Sequence, residues 1–109
     1  MATARGIWLS YDLGVNGDYE SLYAWLDDHD AKECGSSVAF LRYEFDGQLI
    51  DSLKNDLSSS VTLNKKSRIY AVYRGEKSTV GKFVIGRRKS APWEGYGESG
   101  EVTEDDGEE

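Results

Sequence analysis

The sequence predicts an α+β fold in which one mainly antiparallel sheet is backed by two helices. Three observations predict it. Four segments alternate apolar and polar residues with the period of a strand. Two others repeat apolar residues at helical spacing. The two kinds follow the order strand, helix, strand, helix, strand, strand. Each helix carries a single apolar stripe, so both can cover the same face of one sheet.

Residues 6–13 form the first strand. Ile7, Leu9, Tyr11 and Leu13 share one face, and Trp8, Ser10 and Asp12 the other. Trp8 indicates that the second face is partly covered as well. Val15, Asn16 and Gly17 make a turn, with glycine free to take positive φ. Asp18 suits a helix N-cap, and Glu20 favours the positive end of the dipole. Tyr19, Leu22, Tyr23 and Leu26 then form a stripe that predicts a helix to Asp30. Asp27, Asp28 and Asp30 oppose the dipole at its C-terminal end, so fraying is expected near Ala31.

Residues 32–36 read as a connector, and residues 37–45 as the second strand. In that strand Ala39, Leu41, Tyr43 and Phe45 oppose Val38, Phe40, Arg42 and Glu44. Asp46 and Gly47 break it. The second helix spans 48–57, with Leu49, Ile50, Leu53 and Leu57 on one side, and Ser58, Ser59 and Ser60 end it. Residues 61–66 fit a short edge strand or a loop. Residues 68–74 and 79–87 are strands joined by a hairpin-like turn at 75–78. In the last strand Val80, Val84 and Gly86 oppose Gly81, Phe83 and Ile85. This order is that of a ferredoxin-like two-layer sandwich.

At 109 residues the chain fits one domain, here 1–96, with a disordered acidic tail at 97–109. A hydrophobic share of 39% is too high for a wholly disordered chain. The net charge of -7 divides unevenly. Residues 1–93 hold all 13 basic residues against 12 acids, and residues 94–109 hold eight acids and no base. The body is therefore near neutral, and the acidity belongs to the tail. No apolar run approaches the ~20 residues of a membrane span. No signal-peptide h-region precedes the first strand, and a cytoplasmic protein is expected. The single Cys34 excludes an internal disulfide and a cysteine-based zinc site.

A strand closing on Tyr11, Asp12 and Leu13, a short turn, a helix with Asp18, Tyr19 and Leu22, and Ser36, Ser37 and Val38 opening the next strand resemble a known group. The chain is similar over roughly residues 6–75 to the small CRISPR-associated adaptation protein (Cas-two) and its SinR-like and VapD-like relatives. The resemblance implies a homodimer associated with nucleic acid. It also implies that Asp12 occupies the position proposed there as the metal ligand of a nuclease, one copy from each subunit. The chain departs from the pattern in its acidic tail and in lacking a basic cluster near the first strand.

Read from its own residues, Asp12 has two roles open to it. A carboxylate at the end of a central strand can bind Mg²⁺, and it can equally cap the turn toward Gly14. His29 is the only histidine, Cys34 has no histidine near it in sequence, and Ser58 to Ser60 read as a helix stop. The basic residues form two groups. Lys65, Lys66 and Arg68 precede one strand, while Arg87, Arg88 and Lys89 end its hairpin partner. If the strands pair, the groups converge into a phosphate-binding patch, with Tyr70 and Trp93 placed to stack on bases. Protection of a sheet edge is the other reading of those cations.

No phosphate loop, nucleophile elbow or metal cluster is present in the sequence. The function expected is that of a small nucleic-acid-associated or defence-related binding protein. Its enzymatic form would be a Mg²⁺-dependent nuclease. The alternative is a non-enzymatic acidic inhibitor or adaptor whose tail imitates phosphate charge toward a protein partner. Trp8, Tyr70 and Trp93 also suit an interface in a dimer without ligand.

Overall fold

The structure is a computed structural model and describes residues 2–97. It is an α+β sandwich of one five-stranded antiparallel sheet and two helices, compatible with the ferredoxin-like type. The elements are β1 (Thr3–Asp12), α1 (Tyr19–Asp28), β2 (Lys32–Glu33), β3 (Val38–Phe45), α2 (Leu49–Ser60), β4 (Arg68–Arg74) and β5 (Thr79–Ile85). The strand order is β2-β3-β1-β4-β5. The fifth strand, added on the outside of β4, departs from a plain four-stranded sandwich. The expected tail at 97–109 lies, apart from Gly97, outside the described residues. Among the described residues no helix is long and apolar enough to cross a membrane.

β1 is central because it is apolar along one face and pairs on both sides. Ile7 stands opposite Leu41 of β3 and Tyr73 of β4. Its odd-numbered residues join Ala39, Leu41, Tyr43, Ile69 and Ala71 on the covered face, where Ile7, Leu41, Ile69 and Ala71 are essentially inaccessible. Leu22, Trp25 and Leu26 of α1 and Leu49, Leu53 and Leu57 of α2 complete the same core. Burying each such leucine contributes about 1.5–3 kcal/mol. Tyr43 adds a polar tie, its hydroxyl donating to Asp56 Oδ2 at 3.0 Å. Among the described residues no helix covers the opposite face.

Several boundaries differ from the sequence reading, and β1 already begins at Thr3 rather than at residue 6. The connector at 32–36 contains β2, whose two residues pair with Phe40 and Ala39. The order is therefore strand, helix, strand, strand, helix, strand, strand. α1 stops at Asp28 rather than Asp30. Asp30 takes a left-handed φ of 54°, and the Ala31 N–H donates to the Leu26 carbonyl at 3.0 Å. That closure satisfies the helix end without a glycine.

α2 continues through the three serines because Ser59 Oγ donates to the Asn55 carbonyl at 2.8 Å, keeping the hydroxyl partnered inside the helix. β5 ends at Ile85, two residues early, at Gly86 with φ +77°. A register shift between Ile69 and Tyr70 also breaks the parity of β5. Phe83 pairs with Tyr70 and Ile85 with Ile69, so Ile85 packs against the core and the simple alternation fails there. Residues 61–66, left open between strand and loop, are a loop.

Candidate nucleic-acid interface

Hairpin pairing of β4 and β5 places the start of one strand beside the end of the other. Lys65 and Lys66 sit at the tip of a tight turn before β4. The Asn64 N–H donates to Ser67 Oγ at 2.9 Å, and the Lys66 N–H donates to Asn64 Oδ1 at 2.8 Å. Ser67 is buried, so the turn is anchored while its lysines project outward. Across from it, Gly86 turns the chain out of β5 and releases Arg87, Arg88 and Lys89.

These segments enclose a cleft of about 640 Å³ lined by Asp12, Gly14, Lys65, Lys66, Arg68, Gly86, Arg87, Arg88 and Lys89. All six cations singled out in the sequence line it, and among the described residues Asp12 is its sole acid. The expected convergence of the two basic groups is thus a property of the fold. A second concavity of about 380 Å³ shares Asp12, Arg68 and Arg88 with the cleft. It continues onto the open sheet face through Ser10, Tyr70, Phe83 and Trp93. Arg88 marks the junction, its guanidinium lying 5.6 Å from the Phe83 ring centre and 6.0 Å from that of Tyr70. Such contacts hold an arginine in place while leaving its N–H groups available.

Asp12 reaches this cleft from β1, opposite Arg68. Its Oδ1 accepts the Gly14 N–H at 3.0 Å, and its Oδ2 lies 3.8 Å from Arg68 Nη2. The carboxylate is therefore both the turn cap and a partner for Arg68. Among the described residues no group of three His, Cys, Asp or Glu side chains could hold a metal ion. A single carboxylate among six cations does not fit Mg²⁺, which needs oxygen ligands and a negative surround.

Asp18 ties the start of α1 to the loop that leads to Lys65 and Lys66. Its Oδ1 accepts the Ser21 N–H at 3.2 Å as the helix cap, and its Oδ2 accepts the Thr62 N–H at 2.9 Å. Those bonds, the one from Thr62 foremost, hold its carboxyl below the ordinary value of 3.8. The stabilisation is present above the ordinary carboxylate range and is lost as pH falls through the lowered folded value. Asp18→Ala is expected to melt at a lower temperature than the wild type at pH 7. The gap should narrow as pH drops below about 4 in paired thermal melts.

The remaining candidates lie elsewhere. His29 Nδ1 is 2.7 Å from the Trp25 carbonyl oxygen and its ring packs against Trp25, away from the cleft. Cys34 is exposed, with its Sγ 3.6 Å from the Lys32 carbonyl oxygen. Phe40 and Phe83 are not legible as site residues from charge or motif, although strand alternation already places Phe40 with Trp8 on the face away from the core. The signal that points to them is that parity combined with only two helical stripes in the sequence. Compared with known proteins, the chain matches no family model, no curated protein and no solved structure.

Proposed function

We propose that this is a non-enzymatic nucleic-acid-binding protein of ferredoxin-like fold, related in kind to the Cas-two and SinR-like group, that holds phosphates in the cleft between the β4 and β5 ends. One observation carries the reading: six cationic side chains from two distant segments line one cleft in which, among the described residues, a single carboxylate stands. Phosphate groups match that surplus, and arginine and lysine supply the donors they need. A homodimer in the cytoplasm belongs to the same proposal, and sedimentation at low micromolar concentration tests the dimer. The direct experiment is a titration of a labelled single-stranded oligonucleotide by fluorescence anisotropy at about 50 mM salt, where phosphate contacts are strongest. Saturable binding supports the proposal, and a flat titration removes it.

The nuclease reading requires Asp12 to hold Mg²⁺ together with its copy from a second subunit. The two readings predict opposite outcomes for Asp12→Asn. Asparagine keeps an oxygen for the Gly14 N–H but removes the one negative charge from the cleft. For a phosphate cleft, oligonucleotide affinity rises by about 2–8-fold at low salt. For a nuclease, Mg²⁺-dependent cleavage by the wild type disappears in the variant.

A further inference from the structure

We infer that the open face of the sheet is a base-stacking platform continuous with the cleft, which restricts the ligand to single-stranded nucleic acid. The inference rests on the phosphate-binding reading of the cleft and adds the part of the ligand that the cleft does not touch.

Four aromatic residues lie on the face that no helix covers. Trp8 stands opposite Phe40, with ring centres 4.8 Å apart, and Tyr70 stands opposite Phe83, also at 4.8 Å. Trp8 is 46% exposed and Trp93, beyond β5, is 74% exposed. Two glycines on this face make room for two of the rings. A Cβ on Gly6 would come within 3.0 Å of the Phe40 ring, and one on Gly81 would collide with the Tyr70 ring. The Phe40 and Tyr70 rings therefore lie close over the backbone of the neighbouring strands, each half-buried on this face. Trp8 is the diagonal neighbour of Tyr70, about 7–8 Å away in an antiparallel pair, a step that successive unpaired bases can make.

Charge decides between occupants. A face that closes on a second copy needs a core depleted of charge. This face carries Asp12, Arg68 and Arg88 at the cleft side and Arg42 and Glu44 beyond Phe40. Phosphates held by the cleft place the attached bases on the exposed Trp93 first and on Trp8, backed by Phe40, next. A duplex offers only stacked, paired bases to a flat aromatic surface, so it can use the cleft but not the platform.

The test compares a 15-nucleotide thymidine oligomer with a duplex of equal length, using the wild type, the Trp8→Ala/Trp93→Ala double variant and Trp8→Phe/Trp93→Phe. Trp93 is largely exposed, whereas Trp8 packs on Phe40 from the central strand. Melting curves of both variants therefore accompany the titrations, and the phenylalanine pair keeps the packing. Wild type is expected to bind the single strand at least about 10-fold more tightly than the duplex. The alanine pair should lose about 10–100-fold of single-strand affinity with duplex affinity unchanged, and the phenylalanine pair should recover most of it. Equal affinity for strand and duplex, or full single-strand affinity in the alanine pair, overturns the platform while leaving the cleft reading intact. No binding of either probe overturns the cleft reading itself. A wild-type dimer that the alanine pair converts to monomer shows that a second copy covers this face, and also overturns the platform.

Discussion

Replacing Lys65, Lys66, Arg87 and Lys89 together by glutamine is expected to weaken binding of a single-stranded oligonucleotide by about 10²–10³-fold at 50 mM salt. The size follows from counterion release, in which each neutralised phosphate contributes about 0.7 to the slope of log affinity against log salt for a single strand. All four side chains are exposed and line the same cleft. Arg68 and Arg88 are left in place because they also have structural partners, Asp12 for one and the Tyr70 and Phe83 rings for the other. The melting temperature of the variant should stay close to that of the wild type. Retained affinity would assign the cations to edge protection, the reading the sequence leaves open beside phosphate binding.

Gly86→Ala is the second large effect, and it acts on fold and cleft together. Gly86 has φ +77°, and a Cβ there would sit 2.6 Å from the Ser67 carbonyl oxygen and 2.9 Å from Arg68 Cγ. Backbone strain of this kind costs about 1–3 kcal/mol, and the collision with main-chain oxygen adds to it. A fall of at least about 5 °C in melting temperature is expected for a domain of this size. Relief of the clash also separates the end of β5 from the start of β4, so Arg87 and Lys89 move away from Lys65 and Lys66 and oligonucleotide affinity drops. Gly47→Ala is the control. It has φ +76° but nothing within 4 Å of the added carbon, and it does not line the cleft. It should lose less stability and keep full affinity. If the two variants behave alike, Gly86 does not hold the cleft together.

Much of this arrangement is legible in the chain because its strands alternate cleanly. Ile7, Leu9 and Tyr11, like Leu41, Tyr43 and Phe45, declare their buried face through period two alone. Asp18 is legible as a cap, and its carboxyl does accept the Ser21 N–H. The bond from the Thr62 N–H is not legible, since it joins residues 44 apart in the chain and depends on where α2 delivers the following loop.

β2 escapes notice because two residues carry no periodicity, and Lys32 and Glu33 look like surface loop. The bulge beside Tyr70 also leaves no mark in composition, yet it brings both Val84 and Ile85 against the core. The cleft lies between these cases. Its cations stand out as two clusters, and only the pairing of β4 with β5 brings them together. Asp12 is the case in which the sequence leaves two roles open, metal ligand and turn cap, and its contacts to Gly14 and Arg68 are those of a turn cap beside a cation.

The salt dependence of oligonucleotide affinity tests the phosphate cleft most directly. With up to six cations in contact, log affinity plotted against log salt concentration for a single-stranded thymidine oligomer should fall with a slope between about -2 and -4. The slope should flatten toward zero in the variant lacking Lys65, Lys66, Arg87 and Lys89. A wild-type slope near zero, or one unchanged by removing those four charges, contradicts phosphate binding in this cleft.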